Sequence, residues 1–310
     1  MLHLMQWLSR LPYGLLYMIS NLLAFLARRV LGYRKKVIRG NLLNSFPNQD
    51  QSWISQVEKG YYRHFADITV ESIKHFSIAE SEAMRRMRHE KTELFQTYYE
   101  AGKSVLIAGG HFNNWELYAL TAHQNIPHDV MGIYKKLSDP VMDDAMRNSR
   151  QRFGLEMVRT VDSQQWMEEH MAGQSPKAIV MGFDQSPANP AKAWWNTFLS
   201  QETAWYYGLE KWAREFNLPV LYGHIKKEKR GFYWTEYELI TDDPRSMPEG
   251  AILERSLRLL EKDIYDQPEQ WLWSHKRWKH QRPAGMELHG QVDVDSQLGY
   301  VANSKITINE

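Results

Sequence analysis

With 310 residues, 43% of them hydrophobic and 24% charged, the chain has an ordinary globular balance, which excludes a disordered tail protein. The formal net charge of +1 gives no global attraction to nucleic acid, and no nucleic-acid partner is expected. Cysteine is absent, which removes a thiol nucleophile, disulfides and every Cys-based zinc or iron–sulfur site. The unusual figures are 12 Trp and 16 Tyr, which suit either a large aromatic core or a surface that meets lipid.

Leu11 to Ala27 is a run of 17 residues without a charge. A bilayer core takes roughly 20 apolar residues in a helix, so the run spans only if Arg10 and Arg28 snorkel. No basic stretch precedes it, as a cleaved signal peptide would require. Arg28, Arg29, Arg34, Lys35, Lys36 and Arg39 follow at once, a cluster that holds its side of the helix on the cytoplasmic face of the membrane. We therefore expect a membrane-anchoring helix over residues 1–32 and the lipid bilayer as a partner. Whether the helix spans or lies flat is open, and an amphipathic helix docked on the protein's own core is the alternative.

A main domain is expected over residues 33–290. Trp53 to Phe65 and Ile68 to Phe76 have helical periodicity, and Glu80 to Tyr99 has helical composition. At Ser104 to Ala108 the pattern becomes that of a buried strand, ended by Gly109-Gly110. Similar runs come at Asp129 to Tyr134, Lys177 to Met181 and Leu218 to His224. Helical stretches lie between them, at Trp115 to His123, Val141 to Phe153 and Thr203 to Phe216. The alternation predicts an α/β fold, a mixed and largely parallel sheet flanked by helices. Phe232 to Ile240 reads as an edge strand, Ala251 to Asp266 as an amphipathic helix, and residues 291–310 as a loosely attached tail.

Sites in open α/β sheets lie beyond the carboxyl ends of strands. Two segments leave predicted strands with polar residues, Gly109-Gly110-His111 and Gly182-Phe183-Asp184-Gln185. His111 is a candidate general base, because an imidazole is neutral near pH 7 and takes a proton from an alcohol. Glu116 is the candidate that orients it. Five residues on one helix would place the two about 140° apart, so the pair requires His111 in the turn, Asn113 as N-cap and a helix from Asn114. The same residues also read as a capping box with Glu116 returning to the cap amide.

The His-x-x-x-x-Glu run resembles the His-x-x-x-x-Asp/Glu motif of the glycerolipid acyltransferase superfamily. More closely, the chain resembles the late acyltransferases of lipid A biosynthesis, the lauroyl/myristoyl transferase family. Five blocks match in order across most of the chain: Arg34 to Pro47, Gly110 to Glu116, Arg150 to Gly154, Asp184 to Pro187 and Trp271 to Lys279. The resemblance implies transfer of a fatty acyl chain from an acyl carrier protein, or coenzyme A, to a hydroxyl of a lipid A precursor. The place implied is the cytoplasmic face of the inner membrane, with no metal or other cofactor.

On this reading His111 is the base and Glu116 its orienter, and backbone amides of the Gly110–Asn113 turn receive the oxyanion. Arg150 and Arg152 are candidates to grip phosphate; two residues apart on a helix, only one faces the site, and Arg150 is favoured. Asp184 and Gln185 are candidate site walls, or an ordinary turn before Ser186-Pro187. The Trp273–Lys279 cluster suits either a lipid headgroup contact or an exposed helix. Rival functions are an acyltransferase for another lipid, such as an amino-acid-based or phosphatidyl-linked acceptor, a metal-dependent hydrolase, and a non-catalytic membrane-binding protein.

Overall fold

The period of the sequence changes where the central sheet begins, and the computed structural model, which describes residues 2–289 apart from Ala172 and Gln174, shows why. Strand β2 (Val105–Gly109) follows a long helical section and carries almost nothing but apolar side chains. That section consists of α1 (Leu2–Ser9), α2 (Tyr13–Phe25), a π-helical turn over Leu26–Val30, and α3 (Lys35–Ser45). Then come α4 (Gln51–Lys74), α5 (Glu80–Arg86), a short strand β1 (Met87–Glu90) and α6 (Glu93–Glu100). The two helices expected between Trp53 and Phe76 are one, α4, started by Asp50, whose side chain accepts from Trp53 N–H at 2.7 Å.

From β2 (Val105–Gly109) the chain alternates: α7 (Trp115–Thr121), β3 (Asp129–Tyr134), α8 (Pro140–Arg150), β4 (Glu156–Arg159), α9 (Ser163–His170) and β5 (Lys177–Gly182). A hairpin of β6 (Trp194–Phe198) and β7 (Gln201–Trp205) interrupts it before α10 (Gly208–Glu215), β8 (Val220–Lys229), β9 (Phe232–Thr241) and α11 (Ala251–Asp266). The seven-stranded sheet has the order β1-β9-β8-β2-β5-β3-β4. Only β8 and β9 pair antiparallel in it, so the sheet is mixed and largely parallel, as the alternation predicts. The strand expected at an edge, β9, lies inside instead; β1 covers it.

Successive residues of a strand face opposite sides. Leu106 and Ala108 of β2 enter one apolar cluster with α3, α4, α10 and α11, while Val105 and Ile107 enter a second with α6 and α7. Strand β2 is therefore apolar throughout because it is covered on both faces. Helix α2 buries Leu16, Ser20 and Ala24, one stripe at helical spacing, and packs along α4. Its other face leaves Leu15, Met18, Leu22 and Phe25 exposed. No single described helix is long and apolar enough to cross a membrane; α2 with its π-turn and α3 pass together but are bent by 85°. The tail expected from Gln291 onward lies outside the described residues.

Candidate active site

Strands β2 and β5 are parallel neighbours with Gly109 in register with Gly182, so the two polar segments leave the sheet side by side. This brings His111 and Asp184 together across 73 residues of sequence: His111 Nδ1 lies 2.6 Å from Asp184 Oδ1. The His111 backbone N–H donates to Asp184 Oδ2 at 2.8 Å, and Trp271 Nε1–H donates to the same oxygen at 2.8 Å. A carboxylate only accepts, so Nδ1 carries the ring proton and Nε2 presents its lone pair. Gln185 Nε2 lies 3.0 Å from that nitrogen and donates to it.

Two glycines make this approach possible. A Cβ on Gly110 would come within 2.8 Å of Leu260 and 3.3 Å of Asp184 Oδ2; one on Gly182 would lie 3.2 Å from His111 Cε1. The His111 side chain keeps 24% of its surface exposed while that of Asp184 keeps 2%. The imidazole is thus reachable and its orienting carboxylate is not.

Burial disfavours the His111 imidazolium, but the Asp184 charge and hydrogen bond outweigh it, and the pKa is raised from its ordinary value. Burial likewise opposes the Asp184 carboxylate, yet His111 and Trp271 bring its pKa down to about 2. This is one stabilised pair seen from its two partners.

Glu116 does not bond to the His111 ring. Its oxygens accept from Arg150 Nε at 2.7 Å and Nη2 at 2.6 Å, a bidentate pair. Burial works against the Glu116 carboxylate, but Arg150 holds its pKa below the usual range. The contact with the ring expected of Glu116 is made by Asp184, and the Arg150 fork expected to grip phosphate is filled by Glu116. Arg152 points elsewhere, to the backbone carbonyls of His75 and Ile78 at the end of α4. Only Arg150 of the two reaches the site: it ends α8, and Arg152 lies in the 3-10 turn that follows.

The turn between β2 and α7 also differs in detail. The helix starts at Trp115, and Asn114, not Asn113, caps it by accepting from Leu117 N–H at 2.9 Å. This moves Glu116 off the position a capping box needs, and Arg150 takes it up. Asn113 adopts a left-handed φ of 51° and turns its side chain to the Ile225 carbonyl at 2.6 Å. Its backbone N–H donates to Gln270 O at 3.0 Å, and that of His111 is held by Asp184. Neither amide is therefore open to an oxyanion, and Gln185 is the donor that faces His111 Nε2.

The Trp273–Lys279 cluster is not an exposed helix, although Lys276 and Lys279 are exposed. Trp271, Trp273 and Arg277 are all at most 2% exposed, and the segment follows a 3-10 turn without forming a helix. The Arg277 guanidinium lies 4.0 Å over the Trp205 ring and donates to Ala204 O. Asn41 clasps the carbonyls of Trp273 and His275 at 2.9 and 3.0 Å, and Arg34 reaches Ser274 O at 2.7 Å. The early Arg34–Pro47 block thus holds the late Trp-rich block against Asp184. Trp271 is the site residue that sequence reasoning did not single out, although it opens that late block. Among the described residues no group of three or more His, Asp or Glu is placed to hold a metal ion.

A family model for the bacterial lipid A biosynthesis acyltransferases matches residues 1–280. No curated protein matches the chain.

Proposed function

Because the chain belongs to the bacterial lipid A biosynthesis acyltransferase family, and is thereby an enzyme of acyl transfer, we propose that His111 is its general base and Asp184 the group that orients it. The observation that carries this reading is the imidazole held at Nδ1 by a buried carboxylate with Nε2 facing outward. The acceptor hydroxyl displaces the Gln185 amide from Nε2. As its proton passes to Nε2, its oxygen bonds to the thioester carbonyl carbon; the C–S bond then breaks and the leaving thiolate takes the proton back. The displaced Gln185 amide donates to the carbonyl oxygen as negative charge develops on it. Asp184 stays ionised and stabilises the imidazolium in between. Glu116 and Arg150 form a rigid charged wall beside the ring.

The donor is an acyl carrier protein or coenzyme A thioester, and the acceptor a hydroxyl of a lipid A precursor in the cytoplasmic face of the inner membrane. The exposed apolar stripe of α2, with the exposed Arg29, Lys35 and Lys36 beside it, suits an anionic lipid surface. Mass spectrometry of lipids from cells carrying the wild-type chain or His111→Ala tests the whole reading. The wild type should add one acyl chain to lipid A that the variant does not. An extra chain on a different lipid would replace the acceptor, and identical profiles on every lipid would overturn the reading.

A further inference from the structure

The turn that carries His111 is fastened from several sides, and one fastening leads away to the N-terminal helix. Asn114 is completely buried and uses both ends of its side chain. Its oxygen caps α7 at Leu117, and its Nδ2 donates to Glu71 Oε2 at 2.6 Å. Glu71, on α4 and 2% exposed, also accepts from Tyr233 OH of β9 and from Tyr17 OH of α2, each at 2.9 Å. Next in the chain after Asn114 is Trp115, whose ring meets His111 edge-on with centroids 5.2 Å apart, and then Glu116. A second link joins α2 to α4 one turn away: Ser20 donates to Asp67 at 2.6 Å. Asp67 is held by Arg230 and is not bonded to the catalytic turn.

We infer that Glu71 is a positioning residue for the candidate catalytic turn, and that its bond to Tyr17 makes the seating of α2 part of the active-site geometry. Three elements converge on one carboxyl group in the core, whose pKa burial raises to about 7; in such surroundings the loss of one hydrogen bond is felt by the remaining partners. A small displacement of α2 pulls Tyr17 from Glu71, frees Glu71 to shift, and loosens the Asn114 amide that aims Trp115 and Glu116. The relay rests on the acyl-transfer reading only for its rate measurement. Its geometry stands without it.

The test uses the full chain in detergent micelles. Tyr17→Phe removes one hydroxyl and leaves the ring; Asn114→Ser keeps a helix cap and removes the donor to Glu71. Each should lower kcat by up to about tenfold with KM unchanged, the scale of one buried hydrogen bond. The double variant should lose no more than the worse single one, because both cut one chain. Ser20→Ala, which cuts the parallel link, should leave kcat alone. Losses that multiply in the double variant, or a Ser20→Ala loss equal to that of Tyr17→Phe, would overturn the inference in favour of general loosening of α2. A wild type without transfer activity would refute the functional reading instead. The relay is then decided by the imidazole NMR signal of His111, which Tyr17→Phe and Asn114→Ser should both shift and Ser20→Ala should not; an unmoved signal in all three overturns it.

Discussion

Asp184 accepts three hydrogen bonds, two from His111 and one from Trp271, and this fixes what its loss should do. A general base works only as neutral imidazole, and the raised pKa of His111 means that activity climbs with pH through a midpoint above the ordinary value. Asp184→Asn removes the anion that favours the imidazolium. The acid limb of the kcat profile should then move to lower pH, while the maximal rate falls by about 10²- to 10⁴-fold for want of the right tautomer. A limb that stays in place would show that Asp184 does not set the charge of His111. The place of the proposed base was legible in the sequence, because a His after an apolar strand and two glycines points to a strand end. Its partner was not. Spacing reports on local geometry, and the local carboxylate, Glu116, is taken by Arg150 from the end of α8. The carboxylate that bonds to the ring, Asp184, arrives through the pairing of β2 with β5, which no stretch of sequence displays.

At the scale of elements, the long apolar strands and the amphipathic α11 stood out, and the short or strained pieces did not. Strand β1 is Met87-Arg88-His89-Glu90, a composition that reads as helix; only its pairing with β9 makes it a strand. The β6–β7 hairpin is hidden for a different reason. Its two-residue loop is Leu199-Ser200, with φ of 47° and 63°, where such loops ordinarily carry Asn-Gly or Gly-Gly. Leu199 tolerates this because it is fully buried and its N–H is bound by Glu261. Ser200 is exposed and gains nothing comparable. Positive φ costs a non-glycine residue about 1–2 kcal/mol, and glycine gives back roughly 0.5–1 kcal/mol in chain entropy. Ser200→Gly should therefore raise stability by about 0.5–1 kcal/mol in a thermal melt, whereas Leu199→Gly should lower it by several kcal/mol through the emptied core. A destabilising Ser200→Gly would show that the loop is not strained.

At the scale of the whole molecule, the proposal that α2 meets lipid takes one of two geometries. Composition alone left spanning and lying flat open, since 17 uncharged residues are borderline for a crossing. Packing favours lying flat. A spanning α2 would have to leave α4, abandoning the buried bonds of Ser20 to Asp67 and Tyr17 to Glu71 and taking one donor from each of two buried carboxyl groups. Held on α4, it offers Leu15, Met18, Leu22 and Phe25 as an outward stripe. Part of the basic cluster is committed inward, because Arg28 and Arg39 pair with Glu58; Arg29, Lys35 and Lys36 are exposed. The chain has no cysteine, so single cysteines at positions 15, 18, 22 and 25 can each carry a fluorophore without background. In a flat helix the four probes are quenched by lipid-borne quenchers at one shallow depth. In a crossing helix the depths step by about 15 Å from first to last, ten residues of helical rise. A uniform shallow depth that becomes weaker in uncharged vesicles or high salt is the expected result; stepped depths would mean that α2 leaves α4 in the membrane and that the Tyr17–Glu71 bond belongs to the detached state alone.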